Sequence, residues 1–232
     1  MAYKYILLDI EGTCCEISFV KDVLVPYFLE KLPAVLHRHF SQYPPPDLQV
    51  FIDEFAPVNR KSYDSLYSHI CELTAADKKL PELKALQGYV WRQGYEDGEL
   101  RVPLFPDVYD AFDRWSTSGS KKVSIYSSGS VDAQILLFSH TEKGSLTNNV
   151  EAYFDTVNAG PKTDAESYLR IADVLAPGID RKEILFLSDN VKEVEAALQA
   201  GLESYVVERK GNAPLSGEDR AKYTIIHDFN AL

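Results

Sequence analysis

Cysteine is scarce in this chain. Three occur in 232 residues, Cys14, Cys15 and Cys71, and two of them are adjacent. An odd count with a neighbouring pair is no disulfide framework and fits a reducing compartment. No Cys/His spacing of a zinc site is present, and the five histidines are scattered, so they read as structural or surface residues. Positive charge is short as well: 24 Lys and Arg stand against 35 Asp and Glu, for a net charge of −11. Without a basic run there is no phosphate track for nucleic acid. An anionic substrate would need a local cation to enter its site. No apolar stretch approaches the length of a membrane span. The apolar run near the start is interrupted by Lys4 and too short for a signal peptide, and there is no Asn-X-Ser/Thr sequon. These absences predict a soluble intracellular protein, cytoplasmic with the nucleus as a second location, that binds neither nucleic acid nor membrane.

What remains is an ordinary globular composition, 45% hydrophobic and 25% charged, with ample material for a core. The apolar run Tyr5-Ile6-Leu7-Leu8 lacks polar alternation and predicts a strand buried on both faces. It ends in Asp9-Ile10-Glu11-Gly12-Thr13, two acids and then a glycine where the chain leaves the sheet. From Phe19 to Phe40 a helical stripe contains Pro26 and Pro33, which predicts a kinked or broken helix stopped at Tyr43-Pro44-Pro45-Pro46. Residues 47–98 have helical texture, and Pro81 opens a helix with Leu83, Leu86, Val90 and Trp91 on one face, weakened by Gly88 and Gly94.

After residue 103 strands and helices alternate. Lys122–Tyr126, Tyr153–Val157, Glu183–Ser188 and Glu203–Val207 read as strands. Between them lie a helix from Pro106 to Ser118-Gly119 and a helix capped by Ser130. A third has a Thr163/Glu166 capping box, and a fourth runs from Val191 to Gly201. The expectation is an α/β fold, a doubly wound, mostly parallel Rossmann-like sheet with an inserted helical cap domain. Residues 1–18 and 104–232 would form the core and 19–103 the cap. The tail from Lys210 to Leu232 is left open between packing on the core and hanging loose.

Four polar clusters fall at predicted strand ends or helix starts: Asp9 with Glu11, Ser127 with Ser128, Lys162, and Asp189 with Glu193. A parallel sheet gathers all its carboxyl ends on one edge, where they can converge. Asp9 is the candidate nucleophile, able to attack phosphorus, and Glu11 the candidate acid and base. Taken singly, a strand-end Asp-X-Glu is more often an ordinary capping acid. Several acids meeting at one point call for a cation, and hard oxygen donors at a phosphate site imply Mg²⁺. Ser127 and Ser128 offer hydroxyls and backbone N–H groups to an anion, against the plainer role of N-caps. Lys162 would set positive charge on phosphoryl oxygens, although a lone loop lysine is usually just solvated. Glu193 is as readily an exposed helical acid. Cys14 and Cys15 read as packing residues.

Asp9-Ile10-Glu11-Gly12-Thr13, Ser127 or Ser128, Lys162 and Asp189-Asn190 resemble, in that order, the four motifs of the haloacid dehalogenase superfamily of phosphohydrolases. The second acid of the first motif is usually Asp there and is Glu11 here. With Ile17-Ser18-Phe19-Val20-Lys21-Asp22, Leu83–Gly88 and Tyr126–Ser130, that departure resembles the acireductone synthase family, the enolase-phosphatases of methionine salvage. The resemblance implies a monomeric bifunctional enzyme on a haloacid dehalogenase-like core. Its small-molecule substrate would be a phosphorylated diketone, 2,3-diketo-5-methylthiopentyl 1-phosphate. One Mg²⁺ would be held by Asp9, Glu11 and Asp189, with Ser127, Ser128 and Lys162 on the substrate. The cap would read the methylthio tail, with Phe19 and Trp91 as candidates, though both suit the cap's own core better. Cys14-Cys15-Glu16 departs from the more polar, Thr-rich loop of that family.

Overall fold

The structure is a computed structural model and describes residues 3–119, 121–175, 177–178 and 180–232. Two compact units make up the chain: residues 1–18 with 101–232, and residues 19–100. No helix among the described residues is long and apolar enough to cross a membrane.

The first unit is built on β1 (Tyr5–Leu8), whose Ile6, Leu7 and Leu8 are fully buried. Its other elements follow in chain order: α5 (Pro106–Ser118), β2 (Lys122–Tyr126), α6 (Val131–Ser139), β3 (Val150–Phe154), α7 (Ala165–Leu175), β4 (Ile184–Ser188), α8 (Val191–Gln199), β5 (Glu203–Val207), α9 (Gly217–Lys222) and β6 (Ile225–Ile226). Helices α1 to α4 belong to the second unit. The sheet runs β3-β2-β1-β4-β5-β6 with every pairing parallel. The register sets Leu8 beside Ile125 on one side and Leu187 on the other. Strand order reverses at β1, the place where doubly wound sheets leave a crevice beyond their carboxyl ends. Strand β4 is buried at all five positions, as expected for a strand covered on both faces. Leu7, Phe186, Tyr126, Tyr168, Ile171 and Ala197 share one core cluster.

Two local expectations are corrected, and the open question of the tail is resolved. Strand β3 lies at Val150–Phe154, not at Tyr153–Val157. Asp155 ends it by accepting the N–H groups of Val157 (2.8 Å) and Asn158 (2.9 Å), which a ladder would otherwise need. The start of α7 is capped by Asp164, which accepts from the Glu166 N–H at 3.0 Å, not by a Thr163/Glu166 box. The tail is ordered: β6 pairs with β5, Ser216 and Asp219 form a capping box on α9, and Phe229 is fully buried.

The second unit is wholly helical. A π-helical turn at Val20–Leu24 leads into α1 (Val25–His39), followed by α2 (Pro46–Asp53), α3 (Tyr63–Ala75) and α4 (Pro81–Glu96). The stripe that Pro26 and Pro33 marked as a kinked or broken helix divides into the π-helical turn and α1, and α1 itself runs unbroken through Pro33. Pro26 sits in its first turn, where an N–H has no partner to lose, and Pro33 lies between buried Leu32 and Val35. A shared core of Phe28, Leu32, Leu48, Ile70, Leu86 and Val90 outweighs the lost bond. Gly94 has a packing reason: a Cβ there would lie 2.5 Å from the Tyr27 ring. Phe19 is buried, and Trp91 packs on this core with its indole N–H on the Leu24 carbonyl at 2.8 Å.

Candidate active site at the carboxyl edge of the sheet

The chain past β1 stays in the sheet for one more residue, Asp9 donating its N–H to Leu187 O at 2.9 Å. It then folds tightly, with the N–H groups of Thr13, Cys14 and Cys15 converging on Ile10 O and Gly12 donating to Cys15 O. Gly12 has φ +72°, and a Cβ there would lie 2.6 Å from Asp189 Oδ2, so only glycine lets the turn approach β4 this closely. Thr13 closes the other side, its hydroxyl accepting the Asp189 N–H at 3.1 Å. Cys14 and Cys15 are buried, their thiols donate to Asp9 O and Ile10 O, and burial pushes both pKa values up. They pack the turn and are not thiolate nucleophiles.

Beyond β2, Ser127 donates its N–H to Phe154 O, and its hydroxyl accepts from Gly129 N at 3.2 Å. Ser130 takes the capping position of α6, which leaves Ser127 and Ser128 available to the cavity. Gln134, buried under this turn, donates to Gly129 O and Phe154 O, both at 2.8 Å. Asp155 Oδ2 accepts the Val131 N–H, fixing the same turn from β3.

Asp9, Glu11, Ser127, Ser128, Lys162, Asp189 and Glu193 line one cavity of about 440 Å³. Lys162 is its centre of charge. Its Nζ stands 2.5 Å from Asp9 Oδ1 and 2.7 Å from Glu193 Oε2, and all three side chains are nearly buried. Burial alone would lower the Lys162 pKa, but the two carboxylates outweigh it and hold the ammonium above its usual range. Glu193 is thus no exposed helical acid: it also accepts the Ser188 hydroxyl at 2.9 Å. Asp189 forms no ion pair among the described residues, and burial, with the negative charges of Asp9 and Glu193, pushes its pKa up to about 7.

Sequence reasoning overlooked several contributors. Ile17, Val191, Ala213, Pro214 and Leu215 form an apolar part of the lining, three of them from the segment after β5. Asn212 donates to Gly12 O at 2.8 Å. Arg209 donates to Thr13 O at 3.2 Å while gripping both carboxylate oxygens of Asp107 at 2.8 and 2.9 Å. Asn212 and Arg209 act on backbone atoms far away in sequence, so no local motif announces them.

The donor set suits a hard divalent cation. Asp9, Glu11 and Asp189 present carboxylates to one cavity, and the crowding that raises Asp189 is what a cation would relieve. Among the described residues no three His, Cys, Asp or Glu side chains stand close enough to form a finished cage.

A family model for haloacid dehalogenase-like hydrolases matches residues 3–201. Proteins named Enolase-phosphatase E1 from Podospora anserina and Yarrowia lipolytica are 50% and 47% identical to this chain. Each match covers 97% of it, and 96% and 98% of the relative, respectively. The crystal structure of the UTR4 protein from Saccharomyces cerevisiae is 38% identical with a TM-score of 0.86, over 99% of this chain and 100% of that one. CbbY from Rhodobacter sphaeroides, 15% identical with a TM-score of 0.62 over 99% of this chain and 96% of its own, shares the fold.

Proposed function

The chain belongs to the haloacid dehalogenase-like hydrolases, and we propose on that footing that it is an enolase-phosphatase, an acireductone synthase. Its substrate would be 2,3-diketo-5-methylthiopentyl 1-phosphate and its products the acireductone 1,2-dihydroxy-3-keto-5-methylthiopentene and phosphate, in methionine salvage. The observation that carries this reading is the lining of one cavity by Asp9, Glu11, Ser127, Ser128, Lys162 and Asp189, with Glu in the second acidic place. Similarity to Enolase-phosphatase E1 proteins across nearly the whole chain supports it.

In the enolase step Glu11 takes a proton from the carbon beside the keto group and solvent supplies one to the keto oxygen, giving the enol and leaving Glu11 protonated for the next step. In the phosphatase step an Asp9 carboxylate oxygen attacks phosphorus while the phosphorus–oxygen bond to the substrate breaks. Glu11 protonates the departing oxygen. Water then attacks the aspartyl-phosphate, gives its proton to Glu11 and releases phosphate. Lys162 holds Asp9 Oδ1, leaving Oδ2 as the attacking oxygen, and faces the charge that grows on the phosphoryl group. Ser127 and Ser128 would hold the other phosphoryl oxygens with their hydroxyls and turn N–H groups. Asp9, Glu11 and Asp189 would hold one Mg²⁺, which when bound neutralises phosphoryl and enolate charge. Ile17, Val191, Pro214 and Leu215 would cover the methylthio tail. The helical unit would serve as the cap that excludes water, in a cytoplasmic monomer.

Purified protein with the diketone phosphate and Mg²⁺ should produce both the enol absorbance and free phosphate. Phosphate release from sugar phosphates at equal or greater efficiency would point instead to a general capped phosphatase. Asp9→Asn should abolish phosphate release in a folded protein.

A further inference from the structure

We propose that Tyr126 is a positioning residue for phosphoryl transfer. Its hydroxyl ties the loop that carries Lys162 to the end of β2, and so sets where the ammonium stands at the sheet edge. The inference rests on the reading of Lys162 as the cation that faces the phosphoryl group.

The segment from Ala159 to Lys162 lies outside any helix or strand, so no ladder holds it. Each of its four carbonyls instead accepts from a side chain. Arg170 Nη1 donates to Ala159 O, and the Tyr126 hydroxyl donates to Gly160 O at 2.7 Å. The Ser167 hydroxyl donates to Pro161 O at 2.8 Å and the Tyr168 hydroxyl to Lys162 O at 2.7 Å. Gly160 lets the chain pass this close, since at its φ of +109° a Cβ would lie 2.6 Å from both Arg170 Nη1 and Ser167 Oγ. Three of the four donors belong to α7 and bind the loop to its own helix. Only Tyr126, of these four, comes from the sheet.

Tyr126 is the last residue of β2 and is fully buried, directly before Ser127. Its ring centre lies 5.5 Å from that of Tyr168 and 6.5 Å from that of Phe186, inside the core cluster of the first unit. The same ring centre lies 5.7 Å from Lys162 Nζ, within the distance at which an aromatic ring attracts an ammonium. One side chain thus meets Lys162 twice, through the backbone of its loop and beside its charge. Packing alone would be served by phenylalanine; the hydroxyl is what the loop uses. Phosphoryl transfer depends on such placement, since an error of about 1 Å in a catalytic group can cost about 10²-fold in rate.

A double-mutant cycle on the turnover of a small phosphate ester with Mg²⁺ tests this, with folding checked by circular dichroism. Tyr126→Phe leaves the ring in the core and removes only the hydroxyl, and kcat should fall about 10-fold or more. In a Lys162→Met background the same change should cost less than about two-fold, because the group it positions is gone. A hydroxyl that acts independently of Lys162 predicts the same fold-loss in both backgrounds. That result, or wild-type kcat in Tyr126→Phe, overturns the inference and leaves the role of Lys162 standing. Near-wild-type turnover in Lys162→Met alone overturns that role and the inference together. Should Lys162→Met not fold, Lys162→Gln, which keeps an amide donor for the two acids, serves as the background.

Discussion

Lys162 Nζ lies between Asp9 Oδ1 at 2.5 Å and Glu193 Oε2 at 2.7 Å, one cation held by two acids in a nearly dry place. With Asp189 on the same cavity, the carboxylates outnumber the lysine. A phosphorylated substrate would meet an excess of negative charge there. The arrangement therefore needs a second cation before it can accept phosphate, which ties Lys162 to the metal question.

Replacing Lys162 by Met should lower kcat for phosphate release by about 10²- to 10³-fold, the scale for losing one donor to developing charge. It should also destabilise the fold, since breaking one side of a buried pair costs on the order of 3–5 kcal/mol, less whatever the acids recover by taking up protons. Lys162→Arg should not restore turnover, because a planar guanidinium cannot replace a compact ammonium between two carboxylates. Phosphate-release kinetics and urea titrations check both parts; near-wild-type turnover in Lys162→Met would remove the lysine from the mechanism.

Asp189 supplies a pH dependence. In metal-free protein its pKa is raised from an ordinary carboxylate value to about 7, so the folded state binds a proton that the unfolded state has already lost. Its contribution to stability therefore falls as pH rises between those two values. A cation competes with that proton, so Mg²⁺ affinity should strengthen from pH 5.5 to 7.5 and level off above. Calorimetric titrations at several pH values measure it. An affinity flat across that range would take Asp189 out of the ligand set.

A second buried ion pair, Arg209 with Asp107, braces the turn after β1 through Thr13 O. Arg209 grips both Asp107 oxygens, touches Thr13 O and His227 O, and lies within 5 Å of the Phe105 and Phe229 ring centres. Arg209→Met should cost about 3–5 kcal/mol because Asp107 is left uncompensated. The double change with Asp107→Leu should cost less than the sum of the singles. A double-mutant cycle in urea decides; simple additivity would mean that the pair contributes no coupling.

The strands were largely legible because β1 and β4 are apolar runs buried in the middle of the sheet, while β2 and β5 are short stretches of Val, Ile and Tyr set between helical patterns, signals that need no long-range knowledge. Strand β3 is an edge strand with mixed exposure, and its pattern was too weak to locate it against the side-chain bonding of Asp155. In the site, the acids, serines and lysine follow or precede elements that could be read locally, so a single parallel edge gathers them. Asn212, Arg209 and Thr13 could not be read that way. Each acts through a backbone atom or a partner between 102 and 200 residues away, and nothing in the neighbouring sequence records such a contact.

Leu215 tests which residues read the methylthio tail. It lines the cavity together with Ile17 and Pro214 and comes from the segment after β5, whereas Ser127 follows β2 on the other side of β1 in the sheet. Leu215→Ser should raise KM for the diketone phosphate about 10-fold or more, the usual cost of spoiling an apolar contact. Hydrolysis of a small phosphate ester without the tail should change little. Equal losses on both substrates would mean that Leu215 supports the phosphate end and that the tail is read elsewhere.

Glu11 carries the finest distinction. It stands two residues past Asp9 on the turn that Gly12 and Thr13 press against β4, and it faces the same cavity. The proposed reaction asks two tasks of it: removing a proton from carbon and protonating an oxygen that leaves phosphorus. The leaving oxygen is bonded to the phosphorus that Asp9 attacks, whereas the carbon proton lies one atom farther along the substrate. In the proposed reaction the extra methylene of Glu over Asp would supply that reach. Glu11→Asp should therefore slow enol formation by a factor of about 10² or more, the scale of general acid–base catalysis, and reduce hydrolysis of a simple phosphate ester far less. Following enol absorbance and phosphate release separately in one reaction resolves the two. Parallel losses would show that reach is not what Glu11 contributes, and that a different group takes the carbon proton.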